Sequence, residues 1–358
     1  MTLENINMAR ENKKFVLAQR PKTHVVPGET FRLEKEPVPT ANDLKDGQVL
    51  LEVLYLSLDP AMRGWLNDVR SYLPPVQIGE TMRGGTLSRV IASKSPKIKE
   101  GEIVNAFIGW TEYKIVSDKE IEKLEIPEGG HITDLLGVLG LTGLTAYFGL
   151  DKIGKPKAGE TVVVSGAAGA TGSVVGQIAK LRGCRVVGIA GSEEKCAWLK
   201  EELGFDVALN YKSGNFKKEF AEATPDYIDV YWDNVGGEIL EMALDRAQKH
   251  SRFVMCGAIS GYNESGKETK GIRNLFHVVA QRIHMEGFIV FDFLPEYPRA
   301  RKEIGEWLAE GKLKRKETIV KGGIEKAEYA IKDLFEGKNI GKLLLEVKSP
   351  NEVRGARL

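Results

Sequence analysis

Cysteine is scarce and late in this 358-residue chain: Cys184, Cys196 and Cys256 are all there are, and none lies in the first half. An odd number so thinly spread supports no disulfide framework and points to a reducing compartment, the cytosol. Histidine is scarce as well. His24, His131, His250, His277 and His284 stand apart from one another and from any cysteine, so the ligand sets that hold zinc in many dehydrogenases have no counterpart and no metal site is expected. Net charge is nearly absent: 51 Lys plus Arg against 50 Asp plus Glu leave +1. No long-range field therefore draws the protein to nucleic acid or an anionic membrane. No stretch reaches the ~20 apolar residues of a membrane helix. The segment Met1 to Arg20, with Glu4, Arg10, Glu11, Lys13 and Lys14 among few apolar positions, lacks the core of a secretory signal. With 42% hydrophobic and 28% charged residues, the chain has the balance of a compact globular protein. At ~100–200 residues per domain it should form two domains with a cleft for a small ligand.

The texture changes partway along. Residues 15 to 125 read as short β-type runs, such as Val49–Leu58 and Ile103–Ile108, interrupted at Pro74-Pro75 and Gly84-Gly85. From about residue 134, strands alternate with helices, as in a parallel sheet built from βαβ units. The expected strands are Thr161–Ser165, Arg185–Ala190, Asp206–Leu209, Ile228–Trp232 and Phe253–Gly257. The expected helices are Ala170–Arg182, Ser192–Leu203, Phe216–Ala223 and a run from Gly236-Gly237 to Gln248. A closing segment carries Ile319, a helix-like Ile324–Phe335 and a strand-like Lys342–Val347. The polar tail, Pro350 to Leu358, should fray.

The strongest local signal is Val162-Val163-Val164-Ser165-Gly166-Ala167-Ala168-Gly169-Ala170-Thr171-Gly172-Ser173, a buried strand, a glycine-rich turn and a helix start. In a dinucleotide site, Gly169 would let the backbone approach a pyrophosphate, while Gly172 and Gly176 would let the helix lie close to the sheet. The helix N-terminus would offer its unpaired amides to the anion. Ala167 stands where the first glycine of the usual pattern is expected, and enzymes that bind S-adenosylmethionine share such turns, so the turn alone does not name the ligand. The next strand does more. It ends Val187-Gly188-Ile189-Ala190-Gly191-Ser192 with no carboxylate to accept from ribose hydroxyls. Lys195 follows in the first helical turn, where an ammonium can pair with a ribose phosphate, and that favours NADPH over NADH.

Taken with that turn, several strings resemble the zinc-free branch of the medium-chain dehydrogenase/reductase superfamily, in the group of prostaglandin reductases, leukotriene hydroxydehydrogenases and 2-alkenal double-bond reductases. They are Leu54-Tyr55-Leu56-Ser57-Leu58-Asp59-Pro60-Ala61-Met62-Arg63-Gly64, Leu141-Thr142-Gly143-Leu144-Thr145-Ala146-Tyr147 and Ala190-Gly191-Ser192-Glu193-Glu194-Lys195. Further on come Trp232-Asp233-Asn234-Val235-Gly236-Gly237, Cys256-Gly257-Ala258-Ile259-Ser260-Gly261-Tyr262-Asn263 and Gly337-Lys338-Asn339-Ile340-Gly341-Lys342. The resemblance runs from about residue 15 to 347.

The resemblance implies an α/β fold in which a Rossmann doubly wound parallel sheet, residues 134–308, is joined to a GroES-like β-barrel domain made of residues 1–133 with 309–358. It implies that Thr142 and the turn Ala168, Gly169, Ala170, Thr171 and Gly172 lie along NADPH. Gly191, Ser192 and Lys195 would hold its 2′-phosphate, with Tyr211 near the adenosine. Asn234, Cys256, Phe288 and Asn339 would border the nicotinamide, and Tyr55 and Tyr262 would face the substrate as catalytic residues. Plainer roles stand beside these: a core aromatic at Tyr55, a turn former at Asn234, a helix stop at Asn339 and a small buried residue at Cys256. A homodimer is implied too. The chain departs from the group's pattern at Ala61, Gly261 and Trp65, all on the substrate side. The expected reaction is NADPH-dependent hydride transfer to the β-carbon of an α,β-unsaturated ketone or aldehyde, the carbonyl oxygen being held by Tyr262 or a ribose hydroxyl. Quinone reduction, secondary-alcohol oxidation and a non-catalytic NADPH-binding role are the alternatives.

Overall fold

The computed structural model describes residues 10–264 and 271–351. Most of the tail expected to fray, 352–358, lies outside the described residues. Among those described, the first half forms strands β1 (Glu11–Leu17), β2 (Phe31–Pro37), β3 (Gln48–Leu58), β4 (Thr86–Ser93), β5 (Ile103–Ala106), β6 (Tyr113–Ser117) and β7 (Ile121–Glu122), with a short helix α1 (Ala61–Gly64). The order β15-β3-β4-β5-β7 is antiparallel, and β6 also pairs with β3. Here β15 (Lys342–Glu346) comes from the C-terminal segment, which also adds β14 (Glu317–Val320) parallel to it at the sheet edge. The late strand joins the early sheet because its Leu343, Leu344 and Leu345 are all buried there, and non-polar area removed from water is worth about 25 cal/mol per Å².

Between these parts lies a parallel sheet of β8 (Thr161–Val164), β9 (Arg185–Ala190), β10 (Val207–Asn210), β11 (Ile228–Asp233), β12 (Ala247–Met255) and β13 (His284–Gly287). Its spatial order is β10-β9-β8-β11-β12-β13, the doubly wound order in which the crevice opens beyond the carboxyl ends of the two central strands, β8 and β11. The inner strands β8 and β9 are nearly continuous buried apolar runs, as expected where helices cover both faces. The described helices after α1 are α2 (Leu141–Phe148), α3 (Ala170–Leu181), α4 (Glu193–Glu201), α5 (Phe216–Ala223), α6 (Gly237–Asp245), α7 (Phe276–Ala280), α8 (Tyr297–Ala309) and α9 (Ala327–Phe335). Among the described residues no helix is long and apolar enough to cross a membrane.

Two adjoining expected elements are corrected. The helix that opens at Gly237 stops at Asp245 rather than running to Gln248, and the strand expected from Phe253 already begins at Ala247. The Arg246 amide closes the last turn on the Ala243 carbonyl, while the Arg246 carbonyl accepts the Ile228 amide at 2.9 Å, drawing the chain into the sheet beside β11. The new strand passes through Lys249 and His250 at its exposed end, where there is no apolar alternation to announce it.

Candidate functional site

A cleft of about 2380 Å³ runs between the two sheets, with walls from both. Ligand pockets for one drug-sized molecule measure ~300–1,000 Å³, so this one has room for a dinucleotide and a second molecule. Its floor is the turn after β8. Gly166, not Ala167, supplies the left-handed residue, with φ +59°, and the Ala167 amide continues the sheet by donating to the Ile189 carbonyl at 2.9 Å. The turn therefore keeps its first glycine one position earlier than the usual spacing. Gly169 caps α3 in an extended conformation. The amides of Ala170, Thr171 and Gly172 open the helix with no intrahelical carbonyl to meet. A Cβ added at Gly169 would meet only the Gly166 carbonyl, at 3.3 Å, so a ligand can approach the backbone closely there. At Gly172 a Cβ would fall 2.4 Å from the Gly166 oxygen, so the turn closes only on glycine. These are the features a pyrophosphate cradle needs.

The C-terminal segment is fastened to this cradle. The Gly341 amide donates to the Ala168 carbonyl at 2.8 Å, and the buried Asn339 side chain donates to the Gly341 carbonyl at 2.8 Å. Asn339 thus shapes the tie as well as lining the cleft. Thr142, at the start of α2, donates to the Gly137 carbonyl at 2.9 Å and borders the same space.

At the carboxyl end of β11, Asp233 is fully buried. Its Oδ1 accepts from Ser165 Oγ at 2.9 Å, from the Val235 and Gly236 amides at 2.9 Å each, and from the Tyr231 hydroxyl at 3.2 Å. Burial raises this carboxyl above the ordinary aspartate range, and the donors pull it part of the way back. Asn234 follows. Its Nδ2 donates to the Ser165 carbonyl at 2.7 Å and its Oδ1 accepts from Trp232 Nε1 at 3.0 Å. The two central strands are thereby locked together where they meet the cleft.

Cys256, Phe288 and Tyr262 line the cleft as well. Phe288 packs edge-on against Trp232, with ring centroids 5.9 Å apart. The Tyr262 hydroxyl accepts from the Ala258 amide at 3.2 Å, which leaves its own proton to give, and burial raises the phenol above the ordinary tyrosine range. Gly191, Lys195 and Tyr211 also line the cleft. A Cβ at Gly191 would touch the Tyr211 ring at 3.0 Å, and Lys195 Nζ donates to the Gly337 carbonyl at 2.6 Å.

Two expected positions differ. Tyr55 does not reach the cleft. It is 6% exposed, and its hydroxyl donates to Glu346 Oε2 at 3.3 Å. The cause is register: Tyr55 on β3 lies directly opposite Glu346 on β15, so the core-aromatic alternative describes it. Ser192 also stays off the cleft wall. It is the N-cap of α4, and its hydroxyl accepts from the Lys195 amide at 3.3 Å. Three cleft residues went unremarked in the sequence. Tyr72 and Lys212 line the cleft, and buried Lys342, also on its wall, donates to Asp59 Oδ1 at 2.6 Å and to the Leu58 carbonyl at 3.2 Å. Lys212 could have been found beside Tyr211; the other two are brought in by long-range folding. No group of three His, Cys, Asp or Glu that could hold a metal ion occurs among the described residues.

Fold and cleft together define a two-domain oxidoreductase with a dinucleotide cradle. Comparison with known proteins agrees. Residues 13–124 match the N-terminal domain of oxidoreductase family and residues 170–306 the zinc-binding dehydrogenase family. The chain is 42% identical over 346 residues to the NADPH-dependent curcumin reductase of Escherichia coli, covering 94% of this chain and 97% of that protein. It is 42% identical over 320 residues to bovine (Bos taurus) prostaglandin reductase 1, covering 88% and 93%. Its fold matches the crystal structure of CurA in complex with NADPH from Vibrio vulnificus with a TM-score of 0.87 at 41% identity, covering 94% and 100%. The chain belongs to the zinc-free medium-chain dehydrogenase/reductase family, in the group of curcumin, prostaglandin and 2-alkenal reductases.

Proposed function

We propose that the chain uses NADPH to reduce the carbon–carbon double bond of an α,β-unsaturated ketone or aldehyde, with hydride added at the β-carbon. NADPH, when bound, supplies that hydride. The turn Ala168–Gly172 would hold its pyrophosphate, Gly191, Lys195 and Tyr211 its phosphorylated ribose, and Asn234, Cys256, Phe288 and Asn339 would border its ring. The observation that carries the reading is the Tyr262 hydroxyl. It accepts from a backbone amide, it lines the cleft, and its remaining proton can be shared with a carbonyl oxygen. As charge develops on that oxygen during enolate formation, such a donor counts for far more than it does toward the ground state; loss of one typically costs ~10²–10³ in rate.

The test is NADPH consumption by purified protein across a panel of enals, enones and quinones, with NADH alongside and the products identified by mass spectrometry and NMR. A saturated carbonyl product supports the reading. An unsaturated alcohol, or turnover with quinones alone, replaces it.

The same reading includes a homodimer in a reducing compartment. Among the described residues β13 pairs only with β12, and Leu275, Phe276 and Val279, just ahead of it in the chain, are exposed. Sedimentation at twice the chain mass supports this, and a monomer removes it.

A further inference from the structure

The adenosine end of the cleft carries two ammonium groups. Lys195 lies in the first turn of α4 and Lys212 just after β10, and both line the cleft together with Gly191 and Tyr211. Among the described residues neither forms an ion pair with a carboxylate: Lys195 Nζ bonds the Gly337 carbonyl, and Lys212 Nζ rests over the Tyr211 ring, 5.7 Å from its centroid. Glu193 is turned to another partner, since its Oε1 accepts from Asn210 Nδ2 at 2.7 Å. Burial first, and the nearby Lys212 charge second, hold the Lys195 ammonium below the ordinary lysine range, while Glu194 opposes this more weakly. Two like charges close enough to weaken each other, neither ion-paired to a carboxylate among the described residues and opposed only by the weaker influence of Glu194, form a receptor for an external dianion. Lys195 already spends one of its three N–H groups on Gly337, which leaves a ribose phosphate with acceptor capacity for a second cation.

We propose that Lys212 is that second cation, so that discrimination between NADPH and NADH is divided between Lys195 and Lys212. This rests on the reading that NADPH binds the cleft. The Tyr211 ring lies close against Gly191 and beneath the Lys212 Nζ, which places Lys212 beside the strand end that leads into the Lys195 helix.

Isothermal titration of the full chain with 2′,5′-ADP and with 5′-AMP tests the proposal without any turnover. A hydrogen bond to a charged group corresponds to roughly one to two decades in affinity. Lys212→Gln should therefore raise the Kd for 2′,5′-ADP by about 10-fold or more and leave that for 5′-AMP within about twofold. Lys212→Arg, which keeps the charge, should retain most of the discrimination. Equal weakening of both nucleotides, unchanged 2′,5′-ADP affinity, or a loss in Lys212→Arg as large as in Lys212→Gln overturns the role. Lys195→Gln, measured alongside, separates the two levels. If it abolishes discrimination while Lys212→Gln preserves it, the cofactor reading stands and the Lys212 proposal falls. If the unaltered protein fails to prefer 2′,5′-ADP, both fall.

Discussion

Trp65 donates its indole N–H to the Tyr72 hydroxyl at 2.8 Å. The phenol oxygen serves as acceptor on its protein side, so its proton is free to point elsewhere, and Tyr72 lines the cleft near Asp59 and Cys256, both of which influence its ionisation. Tyr72 should thus orient a polar substrate atom. A neutral hydrogen bond is worth ~0.5–1.5 kcal/mol net, so Tyr72→Phe should raise KM for a preferred enone by roughly 2- to 12-fold and leave KM for NADPH unchanged. Trp65→Phe should produce a smaller rise, because it frees the phenol without removing it. If Tyr72→Phe leaves KM within about twofold across the enone panel, the ring only packs.

The titrating groups of the cleft should separate in pH. Burial raises both Tyr262 and Tyr72 above the ordinary tyrosine value of ~10. These phenols donate only while protonated, so that function persists through neutral pH and is lost only above the usual tyrosine range. Lys195 is shifted the other way, by burial and then by Lys212, and loses its charge below the usual ~10.4. As pH rises, KM for NADPH should therefore climb first, and kcat should fall later. Steady-state kinetics from about pH 6 to about pH 11 check the order. A kcat that declines before NADPH binding weakens would contradict it.

The parts of this architecture legible in the sequence are those encoded by neighbouring residues. The strand, turn and helix from Val162 to Ser173 could be recognised because backbone demands fall on consecutive positions, although only the structure shows Gly166 taking the left-handed role. The missing acid after Ala190 and the nearby Lys195 were visible for the same reason. Long-range pairing was not. Tyr55 was misdirected because its partner, Glu346, is 291 residues away, and no local pattern reveals which strand will cover β3. Lys342 reaches Asp59 across 283 residues, and Tyr72 depends on how its loop folds back on α1. The end of α6 was misread because its apolar spacing fades just where β12 begins among polar residues.

Packing of α3 against Phe205, in the link between α4 and β10, gives a stability prediction. A Cβ at Gly176 would fall 1.9 Å from Phe205 Cζ, too close for any rotamer to relieve without moving that ring, which is itself buried. Overpacking of this kind costs about 1–3 kcal/mol, so Gly176→Ala should lower the melting midpoint by several degrees. Phe205→Leu alone should also destabilise, by opening a cavity. The double variant should be more stable than the two single losses added together, since each relieves the other. Simple additivity in differential scanning calorimetry would show that the helix shifts as a body instead.

Cys256 poses a chemical question for any cleft that receives Michael acceptors, because a cysteine thiolate adds to them readily. The side chain lines the cleft, yet burial first and the Asp233 carboxylate second push its thiol up to about 12. A free thiol is a few per cent thiolate at neutral pH; this one is lower by several powers of ten, and the thiolate is the nucleophile. Cys184 and Cys196 are buried away from the cleft, with thiols pushed up to about 11. The folded protein should therefore survive incubation with N-ethylmaleimide or iodoacetamide at pH 7 with Cys256 unmodified by mass spectrometry. Labelling should accelerate roughly tenfold per pH unit toward alkaline conditions, while the chain remains folded by circular dichroism. Stoichiometric adduct formation at Cys256 on the timescale of an enone assay would mean that the thiol is activated in the cleft, and that it takes part in handling the substrate rather than standing inert beside it.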